Sequence, residues 1–223
     1  MNRGEIRDRI LNGLNDDADN PVFWSTSEIN GVIDEAQEII CEEMEAVKRT
    51  HFLPMRDGHL YYFTQAIPNC MAPYRLYTTH NMRRLTATTV SQLDARNELW
   101  ARVSGDPEVW APIGWDCFCT YPHVATGGGS IRVDYLAWPR TLLDDDDAPE
   151  IPISSHDDLI LYGVYDGLMK QWDSQKAAQM YQMFLQRVTR NRNLSMDRVS
   201  ARTWQAAMAG NGNLRNSGNP WAT

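Results

Sequence analysis

Residues 24–47 read Trp-Ser-Thr-Ser-Glu-Ile-Asn-Gly-Val-Ile-Asp-Glu-Ala-Gln-Glu-Ile-Ile-Cys-Glu-Glu-Met-Glu-Ala-Val. Ser25 precedes Glu28 by three positions, the spacing of a capping box. In that motif each side chain reaches the other's backbone N–H, and two of the donors that open a helix are satisfied. Trp24 stands before the cap and Ile29 one turn inside, the pair of a hydrophobic staple. Ile29, Val32, Ile33, Ala36, Ile39, Ile40, Met44 and Val47 then recur with helical period. The pattern predicts a helix to about Arg49. A stripe this long escapes water only by packing on other helices.

Outward from this helix, both ends of the chain supply partners. Upstream, Asn2 and Glu5 form a second capping box, and Ile6, Ile10, Leu11 and Leu14 predict a helix over Arg3–Leu14. The stretch from Asn15 to Pro21 is a polar loop ended by proline. Downstream, Ser154 or Ser155 starts a helix. There Leu159, Ile160, Tyr162, Gly163, Tyr165, Leu168, Met169 and Trp172 are apolar nearly all round, which predicts a buried central helix. Ser174 caps a further helix carrying Ala177, Ala178, Tyr181, Phe184, Leu185 and Val188.

Between them the character changes. Prolines recur from Pro54 to Pro139, and β-branched and aromatic residues cluster in short runs. Candidate strands are Leu60–Thr64, Tyr74–Thr78, Leu85–Val90, Trp115–Tyr121 and Ser130–Trp138, with a short helix over Ser91–Val103. Thr126-Gly127-Gly128-Gly129 reads as the tip of a hairpin joining the last two strands. Ile131, Val133 and Tyr135 alternate with Arg132 and Asp134, the mark of a half-buried strand. The expected fold is α+β: a helical bundle, built from the early amphipathic helices and two C-terminal ones, with an inserted β-rich domain and an extended C-terminal tail. The boundaries are 1–50 for the first helices, 51–140 for the insert, 141–193 for the acidic connector and last helices, and 194–223 for a docking tail.

Composition narrows the function. Hydrophobic residues are 43% of the chain, enough for a packed core. No apolar run approaches the roughly 20 residues of a membrane span. The opening Met1–Ile6 is polar and lacks a signal-type segment, so a cytoplasmic setting is expected. The net charge is −8, unevenly spread: from Arg187 onward six arginines face one acid, Asp197. A body this acidic is a poor grip for phosphates, and the basic tail points to an acidic partner. In that tail Arg198, Arg202, Trp204, Leu214, Arg215 and Trp221 are the expected docking residues, since large apolar side chains in polar sequence commonly anchor on a partner.

Catalytic signatures are missing from the sequence. Gly127–Gly129 lacks the Lys-Ser/Thr of a phosphate loop. His51, His59, His80, His123 and His156 are scattered, and no Ser sits in a nucleophile elbow. Cys41, Cys70, Cys117 and Cys119 have neither zinc nor disulfide-framework spacing and read as reduced, buried thiols. The run Asp144, Asp145, Asp146 and Asp147 lacks the spacing of a calcium loop. It reads as a solvated connector that, in a ring of many copies, forms a channel-facing acidic band. No cofactor, metal or catalytic residue is expected.

The ordered features resemble the head-to-tail adaptor (connector) family of tailed bacteriophages. They are Trp24-Ser25 with Glu28-Ile29-Asn30 and Asp34–Gln37; Gly105–Trp110 leading to Ile113-Gly114; Ile131–Tyr135 followed by Pro139; Leu142–Pro152; and His156, Leu159, Leu161-Tyr162-Gly163 and Ala177–Phe184. The likeness spans roughly Trp24 to Arg190 and departs from the family in the Asn- and Gly-rich tail. It implies a ring, usually of twelve copies, beneath the portal. The ring seals the filled head, receives tail or nozzle proteins, and passes double-stranded DNA without sequence-specific contact. The setting implied is the virion neck, assembled in the host cytoplasm, with no membrane partner. Alternatives are another neck protein, a stopper or tail terminator, or a neck-borne cell-wall hydrolase. The last would need a carboxylate pair across a cleft, and Glu28, Glu35 and Glu38 read instead as a solvated helix face.

Overall fold

The computed structural model describes residues 1–16, 23–125 and 129–193. Within them the chain is α+β. The helices are α1 (Arg3–Gly13), α2 (Thr26–Met44), α3 (Val90–Arg96), α4 (His156–Lys170) and α5, over residues 174–193. The strands are β1 (Lys48–Pro54), β2 (Tyr61–Phe63), β3 (Cys70–Thr78), β4 (Thr86–Ala87), β5 (Ser104–Gly105), β6 (Val109–Ile113), β7 (Cys117–Tyr121), β8 (His123–Val124) and β9 (Ser130–Ala137). The chain divides into two compact units, Glu45–Thr141 and the remainder on either side of it.

In the helical unit, α1, α2 and α4 pack pairwise. Their apolar stripes meet: Ile6 and Ile10 of α1, Ile33, Ala36 and Ile40 of α2 and Leu159 of α4 are fully buried. Both capping boxes form. Asn2 Oδ1 accepts from the Glu5 N–H while Glu5 accepts from the Asn2 N–H. Ser25 and Glu28 make the same exchange. Lys170, in the last turn of α4, donates to Glu28 at 2.6 Å and lies 4.2 Å from the centre of the buried Trp24 ring. The opening of α2 is thereby tied to the end of α4. An aromatic seam joins α4 to α5, with Tyr162–Phe184 at 5.3 Å and Tyr165–Tyr181 at 4.7 Å between ring centres.

One buried charge crosses that seam. Asp158 of α4 is fully buried. Arg187 Nε of α5 lies 2.7 Å from its Oδ1, and Asn191 donates to Oδ2 at 2.8 Å. The Arg187 contact is an ion pair whose angle falls outside hydrogen-bond geometry, since Oδ1 accepts no hydrogen bond. Burial pushes the Asp158 carboxyl above its usual range even so.

Three sequence expectations change in this unit. The helix through Ile29 stops at Met44 and not near Arg49, because Glu45 turns left-handed (φ 48°) and Lys48 begins a strand. Val47, the last member of the stripe, packs against the core of the other unit. Trp172 is not in a buried helix. It sits in the turn between α4 and α5 with φ 63° and is 92% exposed. The cap of α5 is Asp173, whose carboxylate accepts from the Lys176 N–H, and not Ser174.

The β-rich unit holds three sheets, ordered β1-β9-β3, β2-β7-β6-β4 and β5-β8. In the first, β9 is central and antiparallel to both neighbours. One core cluster lies between the two larger sheets, with Leu53, Leu76, Ile131, Val133 and Tyr135 from one and Tyr62, Trp110 and Phe118 from the other. A second cluster, with Ala111, Cys119 and Tyr121 of β6 and β7, covers the opposite face of the four-stranded sheet and includes Leu93 of α3 and Trp100. The expected hairpin of the last two strands does not form. β7 pairs with β2 and β6, while β9 belongs to the other sheet, where its Ile131, Val133 and Tyr135 enter the core between the two sheets. Thr126, Gly127 and Gly128 of the expected tip lie outside the described residues. Strands β1 and β6 are hard to read from sequence, because the helical stripe runs up to β1 and β6 carries Pro112. All four cysteines are free.

Helices α1 and α4 approach closely at glycines. A Cβ on Gly163 would stand 2.4 Å from Ile10 Cδ1 and 2.8 Å from Cγ1, and one on Gly167 would stand 2.5 Å from Leu14 Cδ1. Gly163→Ala is expected to cost about 1–3 kcal/mol through overpacking, despite alanine's better helix propensity. Gly31→Ala, on the open side of α2 where a Cβ meets nothing, is expected to stabilise by up to about 1 kcal/mol. Urea denaturation of the two variants beside the parent protein checks both signs.

Candidate interaction surfaces

The Asp144–Asp147 run is a clasped turn more than a loose connector. The Leu143 and Asp144 N–H groups donate to Asp147 Oδ2, and Asp147 N–H to the Asp144 carbonyl, so the turn folds over its own carboxylate. The start of α1 seals it from outside. Arg3 N–H donates to the Asp147 carbonyl and Gly4 N–H to the Asp145 carbonyl. The Arg3 guanidinium, buried, donates to the carbonyls of Leu142 and Leu143 and to Asp145. Arg7 grips the same carboxylate with both terminal nitrogens, at 2.7 and 2.8 Å. This two-pronged pairing is the strongest geometry open to a carboxylate. The Arg7 hydrogen bond, opposed by burial and reinforced by the Arg3 hydrogen bond and both guanidinium charges, holds the Asp145 carboxyl at about 2.

Two of the four aspartates are therefore committed within the chain. Asp144 and Asp146 keep exposed carboxylates. They share an open depression with Arg3, Arg7, Thr26, Asn30 and Leu143. A second acidic group of side chains lies on α2, which contains six acids and no base. Glu28 and Glu35 there are occupied. Glu28 is held at about 2 by the Lys170 hydrogen bond and by its Ser25 contacts, and Glu35 accepts from the Tyr162 hydroxyl at 2.8 Å. Glu38 is exposed, as is Glu42 one turn on.

In the β-rich unit, the three-stranded sheet turns one face to the core and the other outward. Asp134 of β9 belongs to that outward face yet is only 2% exposed. It accepts from Thr50 of β1 at 2.8 Å, Arg75 of β3 at 2.9 Å and its own strand's Arg132 at 2.9 Å. Burial pushes its carboxyl upward, but these hydrogen bonds outweigh burial and keep it below the usual range. Exposed aromatics cap two turns elsewhere. Trp115 follows Gly114 (φ 66°) between β6 and β7 and is 98% exposed, and Trp172 occupies the α4–α5 turn. Neither stands out in the sequence, where Trp115 reads as the start of a strand and Trp172 as part of an apolar helix. The one signal for Trp115 is Gly114, a residue suited to the left-handed turn.

The tail residues Arg198, Arg202, Trp204, Leu214, Arg215 and Trp221 lie outside the described residues. Among the described residues no group of His, Cys, Asp and Glu is placed to hold a metal ion, and no helix is long and apolar enough to cross a membrane. The hydrolase alternative can be set against one carboxylate pair: Asp166 is pushed above its usual range first by burial and then by the charge of Glu35.

The sequence pattern described as SU10 adaptor protein matches residues 1–210, and the chain belongs to that family. It is thus a structural adaptor of phage, and its partners are other phage head or tail proteins. No curated protein matches the chain.

The clasp gives a pH-dependent test. A carboxylate lowered on folding adds stability above its unfolded pKa of about 4, and that stability is lost as pH falls towards 2. Asp145→Asn is expected to destabilise by about 1 kcal/mol or less near neutral pH, because the site is half-exposed and water screens it. The deficit should shrink between pH of about 4 and about 2. Chemical denaturation of both proteins across that range would refute the clasp if the deficit stayed constant.

Proposed function

We propose that the chain is a ring-forming subunit of the virion neck, twelve copies joining the portal to the tail and lining part of the channel for double-stranded DNA. The observation that carries this reading is the family match over residues 1–210. In this reading the helices of 1–50 and 141–193 form the bundle, and 51–140 is the β-rich insert. Residues 194–223 are the arm that grips the portal through Arg198, Arg202, Trp204, Leu214, Arg215 and Trp221.

Charge supports the channel role. In the helical unit eighteen acids stand against eight bases over the described residues. A wall of that sign repels phosphate, so DNA passes without adhering. Asp144 and Asp146, left exposed by the clasp, are the members of the acidic band placed to face it. Arg3 and Arg7 offset part of this charge locally, so the band is weaker than four aspartates imply.

Mixing the protein with the portal of its own phage and imaging the product by electron microscopy is the direct test. Twelve copies seated under the portal are expected. Absence of any portal complex, or arginines lining the lumen of the ring, would overturn the proposal. A zymogram on peptidoglycan addresses the pair of Glu35 and Asp166: no clearing is expected, and clearing lost in Asp166→Asn would establish the hydrolase instead.

A further inference from the structure

The outer face of the β1-β9-β3 sheet is a prebuilt ladder of cations and rings. Lys48 lies over the Tyr74 ring at 5.8 Å from its centre, and the Arg75 guanidinium stands at the same distance from that ring. Arg75 and Arg132 then share Tyr77, at 5.5 and 5.4 Å. Phe52, paired in register with Arg132, extends the row and is 56% exposed. Asp134 beneath the row fixes both guanidiniums, so they lose little rotamer freedom when a partner arrives. Arginine and tyrosine are the residues that most often dominate protein–protein contacts.

The charge of this face selects its partner. Lys48, Arg75 and Arg132 against the buried Asp134 and the exposed Glu45, which pairs with Lys48 at 3.9 Å, leave it net positive, on a unit whose ten bases outnumber its eight acids. The helical unit has the opposite balance, and its α2 carries the exposed Glu38 and Glu42 one turn apart. A duplex is the poorer fit, since proteins that hold DNA neutralise on the order of 6–10 phosphates.

We propose that the Lys48–Arg132 ladder of one copy docks on the Glu38–Glu42 side of α2 in a second copy. The inference rests on the ring reading above and names the contact between neighbours within it. The two surfaces differ, so the contact is head-to-tail: each copy offers a ladder to one neighbour and a helix to the other. Such contacts propagate, and close as a ring where the rotation between neighbours allows, whereas a self-complementary patch stops at a dimer.

The test uses full-length protein, half of it labelled with heavy isotopes, alone at high concentration and mixed with portal. A zero-length carbodiimide then couples amines to carboxylates in contact. Expected are light–heavy links from Lys48 to Glu38 or Glu42, which only two different copies can give. Lys48→Glu should cut these assemblies at least tenfold, and Glu38→Lys with Glu42→Lys added should restore them. Lys48 makes no hydrogen bond to Asp134, so the sheet should stay folded, as circular dichroism would verify. Phe52→Ser is the second probe and should weaken assembly with no charge change.

Light–heavy links at other positions, with none at Lys48, would overturn this interface and leave the ring standing. No light–heavy link in either mixture, with or without portal, would remove both. If Lys48→Glu instead abolished binding to a short DNA duplex while leaving assembly intact, the face would belong to DNA and the proposal would fall.

Discussion

The pairing of β1 with β9 is the constraint on which the β-rich unit rests. Seven consecutive residues, from Lys48 opposite Leu136 to Pro54 opposite Ser130, zip the beginning of the unit to its end. Thr50 and Asp134, which bond across this pair, are 84 residues apart in sequence. Ordering a loop of that length is entropically costly, and the cost is offset only when many contacts form together. β9 supplies them on both faces. Its Ile131, Val133 and Tyr135 enter the core between the sheets, and Arg132 and Asp134 organise the outer face. Burying each of the apolar three contributes about 1.5–3 kcal/mol.

Asp134 shows how a charged residue can serve in a sheet. Its burial alone would favour the neutral acid, but three donors from three strands hold it ionised. Removing one donor would leave buried charge uncompensated, so the group ties the three strands laterally as the ladder hydrogen bonds do. In the helical unit Arg3 plays the complementary part. It is a buried cation whose hydrogen bonds go to two carbonyls and Asp145, and it fixes the turn that follows the β-rich insert in sequence.

The division of charge between the units gives these local devices a common purpose. The acids that clasp or cap are neutralised inside the chain, as Asp145, Glu28 and Asp158 are. Those left exposed, such as Asp144, Asp146, Glu38 and Glu42, concentrate in the helical unit. An adaptor works by docking on partners, and charge left unpaired on its surface, with cations and aromatic rings elsewhere, can steer and orient that docking.

Local chemistry determined what the amino-acid sequence makes legible by itself. The Asn2–Glu5 and Ser25–Glu28 boxes, the stripe of α2, and the alternation along Ile131–Tyr135 depend on neighbours three or four residues away, or on a simple period of two. The order of those pieces carries the adaptor resemblance. Tertiary structure alone decided the end of α2, because Val47 has helical spacing but a place in the other unit's core. It alone separated β7 from β9, since β9 finds both its partners, β1 and β3, far from it in sequence, and local pattern does not reveal strand partners so distant. And it alone divided four identical aspartates into two with partners in the chain, Asp145 and Asp147, and two whose exposed carboxylates are left to solvent. Nothing in the identity of the four sets them apart; Arg3 and Arg7, some 140 residues away, hold Asp145, and the folded turn's own Leu143 and Asp144 N–H groups hold Asp147.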